Sequence, residues 1–149
     1  MSLENNITNQ IKAAMKAKDV IRLEALRAIK SSLILMKTDN RNEDITEAKE
    51  VHILQKLIKQ RRESALIYKE QNRNDLADPE ESQANIISEF LPEQLTEAEI
   101  EKTVIEIITQ IKAEGIKDMG KVMGIVSNKL SGKADGKTIS NIVKQKLLS

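Results

Sequence analysis

Apolar residues recur three or four positions apart almost from end to end of this chain, and nearly all of them are aliphatic. Only Tyr68 and Phe90 are aromatic in 149 residues. A core must therefore come from Ile, Leu, Val, Met and Ala on helical stripes, because strands recruit aromatic and Thr-rich alternation. The pattern predicts an all-α protein. Ile7, Ile11, Ala14 and Met15 share one face of a helix over 4–17. Leu23, Leu26, Ile29, Leu33 and Met36 share one over 20–37, and Val51, Leu54, Ile58, Ala65 and Tyr68 share one over 45–71. At ~1.5 Å per residue the third helix is about 40 Å long, so it is expected to pack against the first two as an extended hairpin.

Helix ends are marked by their own chemistry. Asp39-Asn40-Arg41-Asn42 reads as a polar loop, and Asp44 and Glu47 have capping-box spacing. Asp78-Pro79-Glu80-Glu81 reads as a helix start, with Asp as the cap and Pro at the first helical position, and predicts a helix over 79–90. Thr96 and Glu99 form a second capping box, with Leu95 and Ile100 placed as a hydrophobic staple. They open a helix over 96–113 whose stripe is Ile100, Val104, Ile107, Ile108 and Ile111, and Gly115 is its expected stop. Val122, Met123, Val126 and Leu130 predict a helix over 119–130. Ile139, Ile142, Val143 and Leu147 predict one over 137–148.

Charge is distributed in blocks. Lys12–Lys37 carries seven bases and two acids, Lys49–Arg73 seven bases and three acids, and Asp75–Glu101 nine acids and no base. From Ile116 to Ser149 there are seven lysines against Asp118 and Asp135, a net +5 in a chain whose total is +1. The acidic block holds both prolines, and a boundary is placed near Leu91-Pro92-Glu93. Residues 1–92 would form an N-terminal helical hairpin or bundle. Residues 93–149 would form a small three-helix bundle, near the lower size limit of independent folding. With no cysteine, no leader-like N-terminus and no long apolar run, the expectation is a soluble cytoplasmic protein with no membrane partner.

The basic, glycine-punctuated C-terminal stretch points to a polyanion. Lys121, Lys133 and Lys137 cluster around two helix starts and the turn between them; they are either a solvated lysine surface or phosphate contacts, which need only charge within reach. Lys129 and Lys144 extend the same set. With so few aromatics, recognition would be of RNA shape and backbone rather than by stacking on bases. Gly120 and Gly124, four apart, read as a close helix–helix contact or as a phosphate seat at a helix start; Asp118, as a cap, would occupy the free amides and oppose the second. Gly132 is read as structural. Arg22, Arg27, Lys30, Lys59, Arg61 and Arg62 read as a charged solvent face with pairs such as Lys59–Glu63, and Arg61-Arg62 is the best candidate there for a second polyanion contact. His52, the single histidine, reads as structural or solvent-facing. Glu80-Glu81 and Glu97/Glu99 are explained by helix N-termini, where acids are favourable. No residue pattern suggests a catalytic centre, a metal site or a cofactor.

Several stretches resemble the YqeY-like family, whose C-terminal half resembles the tail of the B subunit of tRNA-dependent amidotransferases (the GatB/YqeY domain). They are Phe90-Leu91-Pro92-Glu93-Gln94-Leu95-Thr96, Met119-Gly120-Lys121-Val122-Met123-Gly124 and Gly132-Lys133-Ala134-Asp135-Gly136-Lys137, with Asp19–Arg27 resembling the N-terminal half of stand-alone members. The resemblance implies an all-helical, two-part protein linked to tRNA binding and translation. Its family context is carbon–nitrogen ligation with glutamine as amido-nitrogen donor, and it carries over no catalytic residue. The expected function is a non-catalytic accessory module. Its expected partners are tRNA or a tRNA–enzyme complex, with an aminoacyl-tRNA synthetase or an amidotransferase as the enzyme. A helical protein–protein adaptor is the alternative, and an amidotransferase activity of its own is the third reading.

Overall fold

A computed structural model describes residues 2–39 and 45–148. They form seven α-helices and one 3-10 turn, with no strand among the described residues, so the all-α expectation holds. The helices are α1 (Leu3–Ala17), α2 (Val20–Asp39), α3 (Glu47–Glu70), α4 (Asn74–Ser88), α5 (Glu97–Ile111), α6 (Met119–Lys129) and α7 (Gly136–Leu148), and the turn is Ile116–Asp118. The chain divides into two compact units, Met1–Leu91 and Pro92–Ser149.

In the first unit α1 packs on α2, α2 on α3 and α4, and α3 on α4. Ile7, Leu26, Ile29, Leu33, Leu54 and Ile87 are the large side chains sealed in its core, with Ala25 and Ala84 between them. The long α3 packs mainly against α4 rather than against α1 and α2 as expected. The cause is the tight turn after α3. Asn72 takes a left-handed φ of 60° there, which Asn tolerates better than most residues. The chain then reverses at once, and α4 begins at Asn74, well before the Asp78-Pro79 start read from the sequence. Leu76 and Ala77 both donate backbone N–H groups to the Arg73 carbonyl, and Ala77 is fully buried. Pro79 thus lies inside α4. Arg73 donates to Asp75 in the first turn, and that hydrogen bond holds the exposed Asp75 carboxyl below the usual carboxylate range.

Side-chain caps set the other starts. Ser2 accepts from the Asn5 amide at 3.2 Å, Asp19 from the Arg22 amide at 3.1 Å and Thr46 from the Lys49 amide at 3.2 Å. Thr46 is therefore the cap of α3; Asp44 and the loop residues Asn40, Arg41 and Asn42 lie outside the described residues. Met15, placed on a buried face by its spacing, is 54% exposed, because α1 meets only one neighbouring helix closely and buries a narrow stripe.

The second unit is a three-helix bundle in which α5, α6 and α7 each touch the other two. Ile100, Val104 and Ile107 share one buried cluster with Val122 and Val126 and with Ile139 and Val143. Thr96 caps α5 by accepting from the Glu99 amide at 3.2 Å, and Leu95 packs on the cluster that holds Ile100, as the staple requires. The left-handed stop of α5 falls on Lys112 (φ 56°), not on Gly115. Gly115, at φ 151°, instead leads into the 3-10 turn. Asp118 accepts from the Glu114 amide at 2.8 Å and makes no cap bond to α6, which corrects its expected role.

The two glycines of α6 are also corrected. Gly120 and Gly124 are exposed, and a Cβ built on either meets nothing within 4 Å. They are not a close-packing contact. Gly132 differs: it is buried, at φ 79°, in the turn between α6 and α7. Hence Gly124→Ala is expected to raise stability by roughly 0.5–1 kcal/mol through helix propensity alone, whereas Gly132→Ala is expected to cost about 1–2 kcal/mol. Urea melts of the two variants check both signs.

Candidate nucleic-acid interface

The basic stretch is carried by α6, the α6–α7 turn and α7. That turn is held from outside. The Leu95 amide donates to the Lys133 carbonyl at 2.8 Å, and Gln94 Nε2 donates to the Gly132 and Pro92 carbonyls, both at 2.8 Å. The Pro92–Leu95 segment is thereby stitched to the Gly132–Lys133 turn 38 residues away in sequence. Asp135 closes the other side. It accepts from the Lys137 amide at 2.8 Å, from the Thr138 amide at 3.4 Å and from the Thr138 hydroxyl at 2.6 Å, so it caps α7. The Lys137 and Thr138 amides of α7 are taken by that carboxylate, so at α7 side-chain charge is the means of meeting an anion.

Seven lysines lie between 117 and 146, and the structure sorts them into two kinds. Lys117 pairs with Glu114 at 3.1 Å and Lys146 pairs with Glu101. Lys121, Lys129, Lys133, Lys137 and Lys144 are exposed and make no ion pair among the described residues. On α6, Lys121 and Lys129 share the outward arc with Gly120, Gly124, Ile125 and Asn128, all exposed. On α7, Lys137 and Lys144 are seven residues apart, two turns on one stripe and about 10 Å along the axis, with exposed Asn141 between them. Lys133 stands on the turn that joins the two helices.

The second unit as a whole is nearly neutral, with nine lysines against eight acids. Its charge is segregated instead. Glu93, Glu97, Glu99, Glu101 and Glu106 belong to α5 and its approach, where Lys102 and Lys112 partly offset them, and five of the unpaired lysines belong to α6, α7 and the turn between them. A low-charge unit with a cationic α6–α7 segment suits electrostatic steering of a polyanion without strong self-repulsion. The unit holds no aromatic residue, so stacking on bases has no platform there. Five ammonium groups on two helices and a turn supply point charges for phosphates and no planar, base-reading fork.

In the first unit the candidate pair Arg61-Arg62 separates. Arg61 Nε donates to Gln83 at 3.0 Å and its Nη1 to the Leu57 carbonyl at 3.2 Å; Gln83 in turn donates to Glu24 at 3.0 Å. Arg61 therefore ties α3 to α4 and, through Gln83, to α2, which gives it a structural task. Arg62 is exposed and makes no ion pair among the described residues. Arg22, read as part of a solvent face, donates to Gln10 of α1 at 2.7 Å and to Glu89 at the end of α4 at 2.9 Å. Helical spacing could not reveal these bridges, because each partner lies at least 12 residues away. Lys59 and Glu63 do form the expected pair, at 3.9 Å. His52 is exposed on α3.

Comparison with known proteins adds the lineage. The sequence profile of the family described as Yqey-like protein matches residues 4–147. Over 109 residues the chain is 33% identical to a protein of Lachancea thermotolerans named Altered inheritance of mitochondria protein 41, mitochondrial, covering 72% of this chain and 58% of that one. The Kluyveromyces lactis protein of the same name is 27% identical over 141 residues, 93% of this chain and 72% of its own length. Over 73 residues the chain is 40% identical to the E-type component of the glutamyl-tRNA(Gln) amidotransferase of Thermococcus gammatolerans, covering 46% of this chain and 12% of that component.

The separation of Arg61 from Arg62 is directly measurable. Arg61→Ala is expected to lower unfolding free energy by about 1–2 kcal/mol, since it strips hydrogen bonds made by a charged group. Arg62→Ala should stay within about 0.5 kcal/mol of wild type. Chemical denaturation of both variants gives the comparison.

Proposed function

We propose, for a chain that belongs to the YqeY-like protein family, that it is a non-catalytic accessory module that binds tRNA, or a tRNA–enzyme complex, through the α6–α7 side of its second unit. The observation that carries this is the set of five exposed, unpaired lysines, Lys121, Lys129, Lys133, Lys137 and Lys144, on one turn and the two helices it joins. Similarity to a component of a glutamyl-tRNA(Gln) amidotransferase supports the choice of RNA among polyanions. Such lysines would read the backbone and shape of a folded RNA, since they supply charge without base-reading geometry. The module would bring tRNA and a tRNA-modifying or aminoacylating enzyme together in translation, and the chemistry would be the enzyme's.

The alternative is an adaptor that binds protein alone. Exposed Ile125 and Leu148, 38% and 65% accessible on the helices that carry the lysines, favour it. Salt separates the two, because each neutralised phosphate releases condensed counterions and steepens the fall of log affinity with log salt.

Replacing Lys121, Lys133 and Lys137 with Ala is expected to weaken binding to many tRNAs about equally. It should also flatten the salt slope by roughly 0.7–0.9 for each phosphate no longer neutralised. Stability should change little, as each exposed lysine contributes within about 0.5 kcal/mol. The measurement is tRNA affinity of wild type and triple variant across a salt series. An unchanged affinity and slope would leave the adaptor as the better account.

A further inference from the structure

Of the five lysines assigned to RNA, Lys133 alone is carried by no helix. Lys121 and Lys129 lie on α6 and Lys137 and Lys144 on α7, whereas Lys133 stands on the turn between them. A charge on a surface turn is ordinarily the freest of such a set. Here its backbone is pinned on both sides. The peptide plane before it holds the Gly132 carbonyl, which accepts from Gln94 Nε2 at 2.8 Å, and the Lys133 amide, which donates to the Leu130 carbonyl at 2.9 Å. The plane after it holds the Lys133 carbonyl, which accepts from the Leu95 amide at 2.8 Å. Two planes held in this way fix φ and ψ at the Lys133 Cα, because a peptide unit has no soft torsion of its own. Gly132 and Ala134 on either side are buried, and Lys133 between them is exposed.

Of these three bonds one comes from a side chain. Gln94 Nε2 donates to the Gly132 and Pro92 carbonyls, both at 2.8 Å. Carbonyls only accept, so the side-chain amide must present its nitrogen, not its oxygen, to the turn. Pro92 is a stiff anchor, since its ring fixes its own φ. The plane ahead of Lys133 is thus held by one side chain 38 residues away in sequence. Gly132 needs such a hold. Its backbone is left-handed at φ 79°, and glycine, without a Cβ, moves among many conformations at little cost. Released from Gln94, the plane would rotate at Gly132 and Lys133 would sweep a wide arc. A charge that must be ordered on binding loses part of its attraction to entropy. We propose that Gln94 is a positioning residue for the RNA-binding surface: its amide sets the direction in which Lys133 leaves the turn and so readies that charge for a phosphate. Gln94 itself touches no RNA in this role. The role rests on the function proposed above and adds to it a residue that carries no charge.

The test is a double-mutant cycle on the full chain, read as affinity for bulk tRNA. Gln94→Met keeps the length of the side chain and removes both donors. It is expected to weaken binding by roughly three- to ten-fold, the cost of ordering one long side chain, and by no more than Lys133→Ala does. In the Lys133→Ala background it is expected to change affinity by less than about two-fold, since residues that act through one another do not add. Were Gln94 merely a brace for the bundle, its loss would weaken binding equally in both backgrounds, by disturbing Lys121, Lys129, Lys137 and Lys144 as well. Gln94→Glu is the second variant. Its carboxylate repels the two carbonyls at neutral pH, but once protonated it can donate to one of them. Its deficit against wild type is expected to shrink as pH falls through the carboxylate range, while that of Gln94→Met stays constant. Circular dichroism melts establish that each variant is folded at the assay temperature. Additive losses, wild-type affinity in Gln94→Met, or a Gln94→Glu deficit indifferent to pH overturns the role of Gln94. If the Lys121, Lys133 and Lys137 triple variant is still weakened, the RNA reading survives those outcomes. Full affinity in the triple variant overturns both.

Discussion

The hydrogen bonds from Gln94 and Leu95 to the Gly132 and Lys133 carbonyls decide the form of the second unit. A bundle of three short helices has little core to spare, and its weakest point is the turn between α6 and α7, where carbonyls would otherwise face solvent. The chain solves this with a segment that enters the unit just before α5. Gln94 spans two carbonyls with one amide group, and the Leu95 amide, just ahead of the Thr96 cap, takes a third. Leu95 then places its side chain on the same cluster as Ile100. The start of α5 and the turn that presents Lys133 are therefore one structure. Gly132 can hold its left-handed backbone there because it has no Cβ, and Asp135 ends the turn by capping α7.

The first unit is held by a different device on top of its aliphatic core. Two polar bridges span three helices each: Gln10–Arg22–Glu89 links α1, α2 and the end of α4, and Arg61–Gln83–Glu24 links α3, α4 and α2. Isolated surface pairs contribute little. Gln10, Arg22, Arg61 and Gln83 are partly sheltered and each makes more than one hydrogen bond, and they fix which helices are neighbours more than how strongly they adhere. They also explain the stretch Asp19–Arg27. Asp19 caps α2, Arg22 and Glu24 bridge, and Ala25 and Leu26 are fully buried, so most of its central positions have a structural task.

Charge in this protein is arranged by removal as much as by placement. Lys117 and Lys146 are neutralised by Glu114 and Glu101, Lys69 by Glu81 and Lys37 by Glu4. Five lysines around α6 and α7 escape this pairing among the described residues. That group, not the net charge of +1, defines the surface open to an anionic partner.

Much of the fold was legible in the amino-acid order, because helical stripes and caps are local. The seven helices, the staple at Leu95 and Ile100, the Thr96 cap and the basic character of the C-terminal segment all follow from residues within about two turns of one another. The misreadings share one cause, which is that they depended on partners distant in sequence. Asp78-Pro79 has all the local marks of a helix start, yet the turn at Asn72 and the burial of Ala77 against neighbouring helices began α4 earlier. Gly120 and Gly124 have the spacing of a packing contact, but spacing says nothing of whether another helix lies opposite, and among the described residues nothing comes within 4 Å of a Cβ built at either. Arg61 and Arg62 are adjacent and chemically identical, and only the position of Gln83 on α4 separates a brace from a free charge. Local sequence determines where helices form and which side is apolar. Which lysines and arginines remain available to a partner is decided by the tertiary structure alone, because a charge is cancelled or exposed by whatever packing brings within a few ångströms of it.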